Sequence, residues 1–513
     1  MTDQNDSKNG LTRRGFLKTT GGATVMAGMA AGGLLLGSKR LEAAEIPQKW
    51  DEAVDVVIIG SGFAGLAAAI EAKAAGASVV ILEKMPTPGG NSVINGGLIA
   101  AAGTPLQAKE KVDDSPELMY QDMVKAGLGL NHSELVMTMT RQSAEAVEWT
   151  VKLGVQYKDR NTHLGGHSVP RSYYTTNSSG AGIVRPQLAK VKELGVPLVT
   201  RCFLDRILQD GDGRIKGVRV YEDYRFPNAG SGKIKTIRAN RAVILATGGF
   251  AQDLNFRMLQ DPKVDEKVES TNQPGATAEG LIEALRLHAN PIQLSWIQLG
   301  PWACPDEKGM GIGYIFAISA AFPYGIMVAR ETGQRFVNEL ADRKVRADAI
   351  IKTGAFAVGI ADQEGVFRTA KLDTMLERGV VKKFDTLDAL AEAFNIQKDG
   401  LKKTVAEYNA YLKAGEDKTF GKPFQKDCKP IVSPPFYGMN LWPKAHHTMG
   451  GIQINTEAQV IDLYQKPIPG LYAAGEISGG VHGAVRLGSN AITDCIVFGR
   501  IAGKNAAKDR PWA

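Results

Sequence analysis

The stretch VDVVIIGSGFAGLAAAIEAKAAGASVVILEK, from Val54 to Lys84, constrains the fold more than any other. VDVVIIG is a continuous apolar, β-branched run, as a strand buried on both faces requires. Gly60, Gly62 and Gly65 follow in GxGxxG register and open an alanine-rich helix through Phe63 and Ala64. SVVILE is a second strand, and its Glu83 falls about 20 residues past the glycines. Gly60 permits the tight turn, Gly62 lets backbone approach a pyrophosphate, and Gly65 lets helix and strand pack closely. The helix N-terminus offers N–H donors to phosphate. Glu83 accepts from ribose hydroxyls, with Lys84 beside it as a further cofactor contact. The expectation is an α/β chain with a Rossmann-like parallel sheet that binds a dinucleotide.

The next residues favour FAD over NAD. MPTPGGNSVINGGLIAAAG, residues 85–103, places Gly90, Asn91, Ser92, Asn95, Gly96 and Gly97 where backbone wraps along an extended cofactor toward its ring. An NAD domain would instead continue alternating strands and helices. RANRAVILATGGF, Arg238–Phe250, is a later strand ending in Thr247, Gly248 and Gly249. Near the C-terminus a strand ends at Gly475 and Glu476. A glycine-rich loop follows, then a helix opened by Ser489, Asn490, Ala491 and Ile492. A nucleotide fold completed from the far end of the chain is the arrangement of two-domain flavoproteins. The 58 glycines in 513 residues exceed the usual share of roughly 7% and suit backbone packed against a ligand.

The simplest partition puts an FAD-binding domain in two pieces, 46–299 and 446–513, with an α+β capping domain inserted at 300–445. Residues 115–155 and 366–415 read as helices, and 196–246 as strands with hairpin signals at DGDG and NAGSG. The charged stretch RFVNELADRK, Arg335–Lys344, reads as a solvated helix start. Ahead of all this, TRRGFLK and a glycine-rich apolar run within residues 1–45 have the pattern of a twin-arginine signal peptide. The run is shorter than a spanning helix needs, so no stable membrane anchor is expected. A periplasmic protein, exported already folded around its cofactor, is the expectation. The formal net charge is +7, and residues 1–43 hold six basic and three acidic groups, so about +4 remains, too scattered for nucleic acid. Cys202, Cys304, Cys428 and Cys495 form no CxxC or CxxCH. No metal site, iron–sulfur cluster or covalent haem is therefore expected.

GSGFAG, the ATGG strand, PGAT at 274–277, RFVNE, HHTMGG and GLYAAGE…VHGAVRLGSNA together resemble the fumarate reductase/succinate dehydrogenase flavoprotein family. The similarity is strongest to its soluble exported branch, the flavin subunits of periplasmic fumarate and urocanate reductases. The resemblance implies hydride transfer from flavin N5 to one carbon of an activated C=C bond, with a proton delivered to the other. It assigns His446 and Arg486 to the substrate carboxylate and Arg343 to proton donation. Thr277, Trp302, Phe322 and His482 are implied near the substrate. The physical logic agrees: reduction beside a carboxylate builds enolate-like charge, which fixed cations stabilise. Taken without the resemblance, Arg343 reads as a surface partner of Glu339 and His446 as a core histidine. No histidine lies in 89–98, where membrane-bound members attach FAD covalently, so the FAD is expected to be non-covalent.

The chain departs from fumarate reductases where the second carboxylate binds. Gly300-Pro301 stands for a His-Pro, Ile318 and Ser319 for a Thr-Glu pair, and Phe322 for a relay arginine. A far carboxylate would lie poorly paired, at a cost of several kcal/mol. The expected substrate is therefore urocanate or another aryl-acrylate rather than fumarate. Trp302, Tyr314, Phe316, Phe322 and Tyr324 would face its ring, and Asp306 or Glu307 an imidazolium. The alternatives are fumarate reductase proper, a dehydrogenase running the reverse reaction, and a flavin electron-transfer subunit. With no haem motif in the chain, the expected electron source is a separate c-type cytochrome or other donor.

Overall fold

The computed structural model describes residues 46–512, so the twin-arginine segment lies outside the described residues. Glu52–Ile59, Val79–Leu82, Leu198–Val199, Lys233–Leu245 and Pro467–Ala473 form the parallel part of one sheet. Val56, Val57, Ile58 and Ile59 are buried, as the unbroken apolar run requires of a central strand. Each such side chain taken from water contributes about 1.5–3 kcal/mol. Phe203–Gln209 and Ile215–Glu222 extend the sheet as an antiparallel hairpin beside Lys233–Leu245, joined across the DGDG turn.

The helix Phe63–Ala74 is buried along most of its length because the last helix, Asn490–Lys508, lies against it. Small residues make that approach feasible. A Cβ on Gly499 would stand 2.5 Å from the Ala64 carbonyl oxygen, and one on Gly503 2.2 Å from that of Ala68. The C-terminal helix thus returns to the first nucleotide-binding turn, as the chain order of motifs predicts.

Between these segments lies an antiparallel sheet of Ile326–Ala329, Ala357–Ala361, Phe436–Leu441 and Lys382–Phe384. Its buried side chains form two apolar clusters drawn from residues 302–441, whereas the main core draws on 56–289 and 452–507. The strand Lys382–Phe384 corrects the all-helical reading of 366–415: it is short and pairs with Phe436–Leu441.

A second antiparallel pair, Ile297–Gly300 with Lys444–Thr448, positions the site. Its register sets Gln298 opposite His447 and Leu299 opposite Ala445. RFVNELADRK is not a helix start along its length: the helix begins at Arg343 and runs to Lys352. Asp342 caps it by accepting from the Val345 N–H at 3.0 Å. No helix among the described residues is long and apolar enough to cross a membrane.

Candidate active site

The glycine turn is shaped for a close ligand. Gly60 has φ +104°, and a Cβ on it would stand 2.3 Å from the Ala246 carbonyl oxygen. A Cβ on Gly65 would stand 2.0 Å from the Gly60 carbonyl oxygen. Glu83 is buried at the end of the second strand and accepts from Ser61 Oγ at 2.6 Å and from the Met85 N–H at 2.9 Å. Ser92 Oγ accepts from the Phe63 N–H at 3.0 Å, tying the following loop to the helix start. Asn95 shapes that loop, with Oδ1 accepting from the Gly97 N–H at 2.8 Å. Asn91 reaches across to Asn272 and accepts from the Gln273 N–H. Thr247 packs its side chain against Gly280, and Gly249 abuts Thr448 and Glu476. At the start of the last helix, both amide atoms of fully buried Asn490 lack a partner among the described residues. These orphaned groups, with that helix's N-terminal N–H groups, fit the polar edge of a flavin ring.

A cavity of about 710 Å³ connects this cradle to the charged residues. Phe63, Asn91, Gly97, Ser489 and Ile492 line one side, and Arg343, His446 and Arg486 another. Arg343, first residue of its helix, donates from Nη1 to Gln298 Oε1 at 3.0 Å. Among the described residues it pairs with no carboxylate. Glu339, which the surface reading paired with it, is buried and bonded instead to Arg335 at 2.8 Å. Burial and the nearby Arg486 and Arg346 cations draw Arg343 well below the ordinary guanidinium value. Arg486 Nη1 donates to the Leu487 carbonyl at 3.1 Å, and its buried Nε has no partner among the described residues. His446 Nδ1 lies 2.8 Å from Thr271 Oγ1. Burial, then Arg343 and Arg486, push its pKa far down, so it is neutral at neutral pH. Two guanidiniums in no ion pair among the described residues, with Glu476 partly offsetting Arg486, and one neutral imidazole form an arrangement able to bind a carboxylate.

The FAD binding domain family matches residues 55–492. The chain is 45% identical over 508 residues, 97% of its length and 99% of the relative's, to the acrylate reductase flavoprotein subunit of Shewanella woodyi. This chain belongs to the fumarate reductase/succinate dehydrogenase flavoprotein family. It is also 35% identical to the urocanate reductase of Eggerthella lenta, over 90% of this chain and 76% of that one. A flavocytochrome c3 fumarate reductase in its open conformation superposes with a TM-score of 0.72 at 34% identity, covering 90% and 79% of the two chains. The protein is thus an FAD-dependent reductase of C=C bonds in unsaturated carboxylates.

Several residue placements in this flavoprotein differ from expectation. Thr277 is not in the cavity: it accepts from Lys84 Nζ at 2.5 Å and bonds Glu279, away from His446. The threonine that touches the histidine is Thr271. His482 stands behind the cavity wall, 3.4 Å from Asp494 and edge-on to His447. His447 lies 3.3 Å from Glu476, and burial pushes it down to about 4, so this contact is a hydrogen bond rather than an ion pair at neutral pH. Glu307 accepts from the Ile312 and Gly313 N–H groups, and Asp306 from Asn440, so neither faces the cavity. Phe316 belongs to the apolar cluster above. Trp302, Tyr314, Phe322 and Tyr324 do line the cavity. Gln298, Thr271 and Arg346 were missed. Only the strand pairing at Gln298 and the loop path at Thr271 reveal the first two.

Thr271→Val is expected to raise KM for the substrate about tenfold, the worth of ~1–2 kcal/mol, with little change in kcat. Steady-state kinetics on the flavin-loaded variant checks this. Burial brings Arg486 down to about 10, with Glu476 pulling the other way. Its charge is present below that value and lost above it. KM is therefore expected to stay level below a pH of about 10 and climb beyond it, which a pH series of KM measures.

Proposed function

We propose that this flavoprotein reduces unsaturated monocarboxylates whose far end is uncharged, acrylate first and aryl-acrylates after it, with fumarate a poor substrate. The observation that carries this is the wall beyond His446. Trp302 packs its ring edge-on to His446 at 4.8 Å, and Tyr314 stacks edge-on against Trp302 at 5.7 Å. Ile318 and fully buried Phe322 complete it. Of the other guanidiniums that line the cavity, that of Arg346 lies 4.8 Å from the Phe322 ring, held by the backbone carbonyls of Glu339 and Asp342, that of Arg368 is paired with Asp427 and bonded to Tyr324, and that of Arg160 is exposed to solvent. Urocanate loses support, because Asp306 and Glu307 are spent on other contacts. A relative named for acrylate, aligned along nearly the whole chain, agrees with a small substrate.

In this reading Arg486 and His446 hold the carboxylate, with Thr271 giving its hydroxyl proton to Nδ1 so that Nε2–H points at the substrate. Reduced FAD, when bound, supplies hydride to the β-carbon. Arg343 gives its proton to the α-carbon, and the desolvated cations stabilise the enolate-like charge. Residues 300–445 act as the cap over this site, and the FAD is held without a covalent bond. The chain is exported through its twin-arginine segment, and electrons arrive from a separate donor such as a c-type cytochrome. Steady-state oxidation of reduced methyl viologen with acrylate, cinnamate, urocanate and fumarate tests the substrate assignment. Acrylate is expected to give the highest kcat/KM, and a higher value with fumarate would overturn it.

A further inference from the structure

A proton-donating Arg343 is left neutral after every turnover and must be recharged. Its one side-chain hydrogen bond among the described residues goes to Gln298 Oε1, and an amide is no acid at ordinary pH. Arg346 stands one turn along the same helix, at the i,i+3 spacing that puts two side chains on one face. It is buried, lines the same cavity and has no ion-pair partner among the described residues. Its Nη1 donates to the Glu339 carbonyl at 3.2 Å and its Nε to the Asp342 carbonyl at 3.4 Å. The charged side chains facing it are Arg343, Asp342 and Glu339. Asp342 is half-buried at the helix cap and reaches solvent, whereas Glu339 is closed in by Arg335 and Lys422. A buried arginine in no ion pair is costly to the fold, and Asp342 and Glu339 offset that cost only in part, so its presence calls for a use.

Building on the assignment of Arg343 as donor, we propose that Arg346 resupplies its proton. The neutral Arg343 nitrogen takes a proton from an Arg346 N–H. Arg346 then recovers one from water or a buffer acid at the Asp342 end of the helix. One solvent proton is consumed per C=C bond reduced, and no other species is needed. Burial brings Arg346 down to about 10, which eases release of its proton within a catalytic cycle. Arg346 is a positioning and relay group rather than a contact of the substrate.

The test separates the first turnover from the rest. Arg346→Met in the FAD-loaded protein, photoreduced and mixed with acrylate, is expected to reoxidise at the wild-type rate, because Arg343 starts protonated. Its steady-state kcat is expected to fall about 100-fold, with KM unchanged and partial rescue by added guanidinium or ammonium. Arg346→Gln keeps the hydrogen bonds to the carbonyls without a transferable proton. It is expected to behave the same way, which guards against a folding defect in the methionine variant. An unchanged kcat in both variants overturns the proposal. So does an equal slowing of first and later turnovers, which marks a structural role, or a rise in KM alone, which marks a substrate anchor. If Arg343→Ala itself turns over normally, the donor assignment fails, whatever Arg346 does.

Discussion

Arg343→Ala is expected to lower kcat by about 10⁴-fold while leaving FAD content and the fold unchanged. The estimate joins a general-acid contribution of roughly 10²–10⁴ to the loss of one fixed cation beside the developing charge. The fold is spared because Arg343 makes one hydrogen bond, to Gln298, and no ion pair with any described carboxylate. Its helix is capped by Asp342, which the substitution leaves alone. Removing a cation that stands near Arg486 and Arg346 also relieves repulsion, so the variant is expected to melt no lower than the parent. Arg343→Lys is informative beside it. A lysine keeps charge but not the planar fork, and turnover is expected to stay far below wild type. Viologen-linked turnover, the flavin spectrum and thermal melting of each variant check all three statements. Turnover within tenfold of wild type would remove Arg343 from the chemistry.

Gly65→Ala is expected to give a protein that retains little FAD. The new Cβ would sit 2.0 Å from the Gly60 carbonyl oxygen, a backbone atom that cannot swing aside. Relief requires the helix Phe63–Ala74 to withdraw from the strand before it. That helix is also locked from behind by Asn490–Lys508, where Gly499 and Gly503 leave no room against Ala64 and Ala68. The strain therefore falls on the phosphate-binding turn. Overpacking of this kind costs about 1–3 kcal/mol or more, and it acts on the backbone N–H groups that must point at the pyrophosphate. Absorbance of the purified variant, with and without added FAD, reads the effect without any activity assay. Normal flavin content would show that the turn tolerates a side chain.

These two cases show what kind of information a linear sequence carries. The glycine turn is local: spacing, apolar periodicity and an acid at the right distance lie within about 30 residues, so the nucleotide fold was legible directly. Arg343, His446 and Arg486 were legible through motifs that resemble a known family, and the structure brings all three to one cavity. Placements that depend on distant pairing were not legible. PGAT pointed to Thr277, yet the loop's path brings Thr271 to His446 and leaves Thr277 with Lys84. Glu307 looked available for a cationic substrate because a sequence does not show which backbone N–H groups need a cap, and Asp306 because its partner, the Asn440 amide, comes from a distant strand. The loss of a cation at Phe322 read as a missing relay. Arg346 sends a guanidinium back to that ring from another element, and only the helix's position shows it.

The central claim is that the bound FAD of this chain passes its electrons to a C=C bond in a site built for one carboxylate. Rapid mixing of the photoreduced, oxygen-free protein with acrylate or with fumarate at equal concentration tests it most directly, followed by chromatography of the products. The account predicts that acrylate reoxidises the flavin at least about tenfold faster and yields the saturated acid, one 1.4 kcal/mol step of discrimination or more. Flavin that stays reduced with acrylate, or that fumarate reoxidises faster, would contradict it.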